Sequence, residues 1–98
     1  MSGVGPPALG AFSLGRIFPN PLAGRALSAS VSLPDAAPAQ LSLFDLRGRR
    51  LARRLVEAGA SGTEVVQLRI PGGLRSGVYM LQLEQRGRVM SRKVSIVH

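Results

Sequence analysis

The residues that could do chemistry are few, and they do not cluster. The five acids are Asp35, Asp45, Glu57, Glu64 and Glu84, and the single histidine is His98, the last residue. A Ser/His/Asp set needs a histidine held in place by packing, whereas a terminal residue frays into solvent. No group of His, Cys, Asp or Glu has metal-ligand spacing, and no cysteine is present to form a disulfide or a thiolate site. Gly72-Gly73 lacks the lysine and the following helix of a phosphate-cradling loop. The sequence therefore points away from an enzyme and implies neither a cofactor nor a small-molecule substrate.

What the chain does carry is positive charge. The net charge is +8 and the pI about 11.9, and of the 13 basic residues all but Lys93 are arginine. Such a balance makes a polyanion, nucleic acid included, a candidate partner. GC-rich coding also favours Arg, Ala, Gly and Pro, all abundant here, so charge alone does not assign one. The one dense cluster is Arg47, Arg49, Arg50, Arg53 and Arg54. A single-strand binder would pair it with exposed stacking aromatics. The four aromatics are Phe12, Phe18, Phe44 and Tyr79, and Phe44 and Tyr79 suit a core, the tyrosine with its hydroxyl on a backbone partner. The cluster then reads as the solvated side of a hairpin, where charge deters edge-to-edge pairing, and the sequence disfavours nucleic acid.

The elements that carry these residues are short and β-like. Leu41 and Leu43 alternate with Gln40 and Ser42, the period-2 pattern of a half-buried strand. Asp45 and Gly48 follow at the first and fourth positions of a tight turn, where a carboxylate accepts bonds from local amides and glycine tolerates positive φ. Leu27, Ala29, Val31 and Leu33 share one face against Ser28, Ser30 and Ser32. Val66, Leu68 and Ile70 form a third run, Tyr79, Leu81 and Leu83 a fourth, and Met90, Val94 and Ile96 a fifth. Phe12 to Phe18 reads as an edge strand, and Pro19-Asn20-Pro21 excludes a helix after it. Pro34 to Pro38, Glu57 to Gly62 and Pro71-Gly72-Gly73 read as turns or loops, and Gln85 to Arg88 as a hairpin turn with Gly87 at positive φ. The stretch from Leu46 to Ala58 is compatible with a short helix, since Leu51 and Leu55 are four apart. The turn at Gly48 favours a strand, with a bulge that keeps both leucines inside and Arg53 and Arg54 outside. Six or seven short strands at spacings near ten residues predict an antiparallel sandwich or barrel. Residues 1–11 are Gly, Pro, Ala and Ser with few large side chains and read as a flexible linker, and residues 12–98 as one domain. Met1 to Pro7 lacks the basic start and apolar stretch of a signal peptide.

In this order the motifs resemble the C-terminal sorting domains (type A) of type IX secretion cargo proteins, which are similar to the immunoglobulin-like domain of flagellar hook-capping proteins. The matching pieces are Phe18-Pro19-Asn20-Pro21, Ser30-Val31-Ser32-Leu33-Pro34, the hairpin from Leu41 to Arg49, Leu74-Arg75-Ser76-Gly77-Val78-Tyr79 and Arg92-Lys93-Val94. Hook-cap-like copies generally carry a Trp-Asp-Gly segment before the Gly-x-Tyr motif. This chain has no tryptophan and shows Gln67-Leu68-Arg69-Ile70 there, as the sorting branch does.

The resemblance implies an all-β fold, an immunoglobulin-like antiparallel β-sandwich of about seven strands, and a non-catalytic role. Such a domain is an address on an exported cargo, read by an outer-membrane translocon and removed by a sorting peptidase during surface anchoring. The cargo is secreted or passed to an anionic lipopolysaccharide at the outer-membrane surface. The residues it marks for recognition are Pro19, Asn20, Pro21, Asp45, Gly48, Gly77, Tyr79 and Lys93, with the last two strands as part of the surface and the cut within residues 2–14. The alternatives are a structural surface or hook-cap-like module and, behind it, a basic polyanion binder.

Overall fold

A computed structural model describes residues 12–34, 37–56 and 62–97. The expected linker, the middle of the turn after Leu33, the loop from Glu57 and the terminal His98 lie outside the described residues. Seven strands are present: β1 (Ser13–Phe18), β2 (Ala26–Leu33), β3 (Ala39–Phe44), β4 (Arg50–Val56), β5 (Gly62–Arg69), β6 (Gly77–Gln85) and β7 (Arg88–Ile96). They form a three-stranded sheet ordered β1-β2-β5 and a four-stranded sheet ordered β4-β3-β6-β7, with every strand pairing antiparallel. No helix occurs among the described residues. The arrangement is that of an immunoglobulin-like β-sandwich.

Alternation accounts for the core. Leu27, Ala29, Val31 and Leu33 of β2, Leu41 and Leu43 of β3, Val66 and Leu68 of β5, and Tyr79, Leu81 and Leu83 of β6 are all buried between the sheets, and Val94 and Ile96 of β7 join them. With so few aromatics the interior is aliphatic, and truncating a residue as enclosed as Leu43 would cost about 2–5 kcal/mol. The turn from Gln85 to Arg88 has both Arg86 (φ 53°) and Gly87 (φ 82°) in the left-handed region. That is the backbone of a two-residue hairpin matched to strand twist. Gln85 itself is buried, and its amide nitrogen donates to the Ala37 carbonyl at 2.8 Å, which ties the segment before β3 to the end of β6.

Strand β4 departs from the expected arrangement. It is a strand throughout, yet Leu55 is not inside. The register runs Leu43 opposite Ala52 and then Phe44 opposite Arg50, so Leu51 is the extra residue of a bulge. A one-residue insertion exchanges the two faces beyond it. Arg54 consequently lies opposite the buried Leu41, while Leu55 lies opposite Gln40 and is 58% exposed. Leu51 is half-buried against the core. Phe44 is also not a core residue. It stands half-buried on the outer face of the four-stranded sheet, in register with Met80 and Arg50, because strict alternation from Leu41 and Leu43 points it away from the interior.

A sandwich leaves four strand edges open, and arginines span the gap on both flanks. Strands β1 and β7 adjoin on one flank and β4 and β5 on the other. Arg92 of β7, opposite Leu81 on the interior side, donates through Nε to the Leu14 carbonyl of β1 at 2.7 Å. The Leu14 N–H reaches the Met90 sulfur at 3.1 Å. On the other flank Arg54 donates through Nη1 to the Gln67 carbonyl of β5. Inward-pointing charges on edge strands also oppose pairing with another chain. We expect Arg54→Ala and Arg92→Ala each to lower stability by about 1 kcal/mol, the net value of one hydrogen bond. Because the flanks share no partners, the double variant should lose the sum to within about 0.5 kcal/mol. Urea denaturation of the four chains measures this, and unchanged midpoints would show that the flanks close by other means.

Candidate recognition surface

One end of the sandwich gathers nearly all the residues that the motifs single out. Strands β1, β3, β5 and β7 finish there, and β2, β4 and β6 begin there, so its surface is made by residues 19–25, 45–49, 70–76 and the chain beyond Ile96. The chain enters β1 at the opposite end, beside the turn between β6 and β7 and the start of β3.

Residues 19–25 cross from one sheet to the other. Prolines 19 and 21 prevent helix, both of their preceding peptide bonds are cis, and the segment runs along the free edge of β7. Asn20 Oδ1 accepts the Ser95 N–H at 3.1 Å. Leu22 then pairs in parallel with Ile96, its N–H on the Ser95 carbonyl at 2.8 Å and its carbonyl accepting the Val97 N–H at 2.9 Å. Leu22 is fully buried. Sequence reasoning missed it, although a lone leucine directly after the proline pair, among small residues, was the available signal. Arg25 continues the strap, its carbonyl accepting the Ile70 N–H at 2.8 Å. A Cβ on Gly72 would lie 2.6 Å from the Arg25 guanidinium, so glycine there lets the arginine lie flat against the loop.

The Asp45 turn is built by its own carboxylate. Oδ1 accepts the Arg47 and Arg49 N–H groups, both at 2.9 Å, and Oδ2 pairs with Arg49 Nε at 3.0 Å. The Gly48 N–H donates to the Asp45 carbonyl at 3.0 Å, and Gly48 has φ 88°, which a side chain would strain. The Arg49 backbone N–H holds the Asp45 pKa below its ordinary value. The Arg49 side chain, the Arg47 N–H and the Arg49 charge add to this, against an opposing contribution from desolvation. The arginine cluster is exposed throughout, as a solvated face should be, but three of its members are also engaged: Arg49 serves Asp45, Arg50 reaches Gln40 at 3.3 Å, and Arg54 crosses to β5.

Tyr79 is a core residue whose hydroxyl donates to the Arg75 carbonyl at 2.7 Å. This closes the segment before β6 in the manner of the tyrosine corners of immunoglobulin-like domains. Gly77 pairs with Ile96 at the start of β6. Between the Asp45 turn and residues 73–77 lies a groove of about 600 Å³, and a second recess of about 230 Å³ adjoins it under residues 23–25. The structure therefore brings Pro19, Asn20, Pro21, Asp45, Gly48, Gly77 and Tyr79 to one end. Lys93 lies a few residues back from this end, exposed on β7 in register with Met80. Among the described residues no three His, Cys, Asp or Glu side chains gather as metal ligands, and no helix is long and apolar enough to cross a membrane.

A family model described as "Secretion system C-terminal sorting domain" matches residues 16–97, a span that contains every motif named above. No curated protein matches the chain.

The depressed Asp45 pKa has a signed consequence. Stability from the ionised carboxylate is present above the unfolded-state pKa and is lost as pH falls through the lower folded-state value. Between about pH 5 and pH 2 the thermal midpoint of the parent should fall more steeply than that of Asp45→Asn, which keeps an acceptor oxygen but cannot titrate. Parallel pH profiles would show that the turn does not depend on the charge.

Proposed function

The chain belongs to the secretion system C-terminal sorting domain family, and we propose that it acts through the end of the sandwich where the motif residues converge. A domain of this family is a C-terminal sorting signal for type IX secretion, it engages the secretion machinery, and its cargo is secreted or attached to the surface. The observation that carries the proposal is spatial. The strap of residues 19–25, the Asp45 turn, the segment before β6 and the end of β7 come from distant parts of the chain to form one continuous surface. Upstream sequence joins at Phe12, at the other end. A cargo attached there leaves the motif end open to a translocon component.

Within that surface the named residues divide their work. The Asn20 side-chain oxygen and the Tyr79 hydroxyl are spent on the domain's own backbone, so their contribution is to shape the surface. Exposed Lys93, with the outer faces of β6 and β7, offers a contact beside it. The domain is then removed by a sorting peptidase, and the cargo secreted or transferred to an anionic lipopolysaccharide. The cut cannot use the whole of residues 2–14 as open chain. Ser13 and Leu14 lie in β1, and Leu14 is buried with both backbone groups bonded to β7 side chains. The cut is therefore placed before Ser13.

Fusing the chain behind an exported reporter in a type IX-competent host tests this. The reporter should appear at the cell surface, and the released fragment should begin before Ser13 by mass spectrometry. Lys93→Ala should lower the surface fraction while the domain stays folded. A folded fusion held in the periplasm would overturn the sorting role.

A further inference from the structure

The groove at the motif end has a composition that specifies what it takes. Its rim carries Arg47, Arg49 and Arg75. Its one carboxylate, Asp45, is committed to the turn and to Arg49. Arg47 and Arg75 make no ion pair among the described residues, where Arg49 with Asp45 is the one pair formed. The other described acids stand on the strands: Glu64 lies opposite Val31 on β2, and Glu84 lies opposite Gln40 and Val89. The motif end is thus left with an uncompensated positive field, which would steer and orient an acidic partner.

The groove is also apolar, which simple attraction of anions does not require. Leu51 and Leu74 floor it, half-buried against the core. Leu46 sits at the tip of the turn, 70% exposed, and Val78 is 43% exposed beside it. A tight turn has no conformational use for leucine at its tip. At about 600 Å³ the groove falls within the range of ligand clefts, about 300–1,000 Å³. Arginine around an apolar centre is the pattern of protein interfaces, with the anchor in the middle and bidentate guanidinium pairs at the edge.

We propose that this groove docks a protein segment in which an aromatic or large aliphatic side chain is flanked by carboxylates. The side chain fills the space over Leu51 and Leu74, and the carboxylates pair with Arg47 and Arg75. The assignment rests on the sorting role above and gives the partner its chemistry. A polyanionic saccharide would engage the arginines and leave Leu46 and Val78 in water.

The test uses the full chain and a fluorescein-labelled peptide of repeated Glu-Phe-Asp units, read by fluorescence anisotropy. R47E/R75E should weaken binding about tenfold or more. R53E/R88E makes the same charge change at exposed positions outside the groove and should stay within about twofold. Leu46→Ser should weaken binding with no change of charge. Equal losses from the two arginine pairs would overturn the proposal, as would polyglutamate or heparin binding as tightly as the peptide. Circular dichroism verifies that each variant is folded. In the export assay R47E/R75E should be held in the periplasm and R53E/R88E should reach the surface. Normal export of R47E/R75E would sink the groove and leave the sorting role standing. Failure of the parent fusion would sink the sorting role, with peptide binding still deciding the chemistry of the groove.

Discussion

Two sheets facing each other across a mainly aliphatic core have no disulfide between them. What joins their margins is a guanidinium on each side: Arg92 from β7 to the Leu14 carbonyl, and Arg54 toward the Gln67 carbonyl. Each starts from the interior face of an edge strand, where an aliphatic side chain would leave its neighbour's backbone wet and available to pair. The long methylene stem covers apolar surface, and the charged head stays at the rim. The same side chains close the fold and keep its edges single. The high arginine content, which first suggested a polyanionic partner, is in part a solution to the problem of an open-sided sandwich.

Much of this was legible in the sequence, because alternation is a reliable record of which face is inside. It located β2, β3, β5 and β6 and their core residues, and it identified the Asp45 turn with its carboxylate and its glycine. It failed at β4 for a specific reason. A bulge reverses the faces beyond it, and nothing in the run from Arg50 to Val56 says where the extra residue falls. Taking both leucines as inside and both arginines as outward-facing produced the wrong register: the arginines are exposed, but Arg54 shares the face of Leu41 and Leu55 falls on the outer face, exposed. Phe44 went wrong the opposite way. Its residue type outweighed the alternation that correctly put it on the outer face. The bond from Arg92 to Leu14 was invisible for a further reason: it joins residues 78 apart, and only the topology brings them together.

The candidate surface was legible as a set of motifs and not as a place. Four stretches with weak individual signals converge because successive strands of the sandwich run in alternate directions, which sorts turns and connections to two ends. Phe12 falls at one end and the motif residues at the other. That separation has a mechanical meaning for a domain that is read while joined to something else. The motif end and the point where the chain enters β1 do not compete for the same space. Several of its residues are also occupied with the domain's own backbone, so substitutions there act first on shape and only then on contact.

The strap along β7 carries one more implication. Asn20 and Leu22 are held by Ser95, Ile96 and Val97, across separations as large as 75 residues. Without Ser95, Ile96 and Val97 the proline-flanked segment loses the edge it lies against, and that part of the motif end loses its shape. A polypeptide that stops short of Val97 has every earlier motif in its sequence and lacks the shape they make together. The first and the last of the motif stretches thus meet in one edge, and the shape of that end depends on both together.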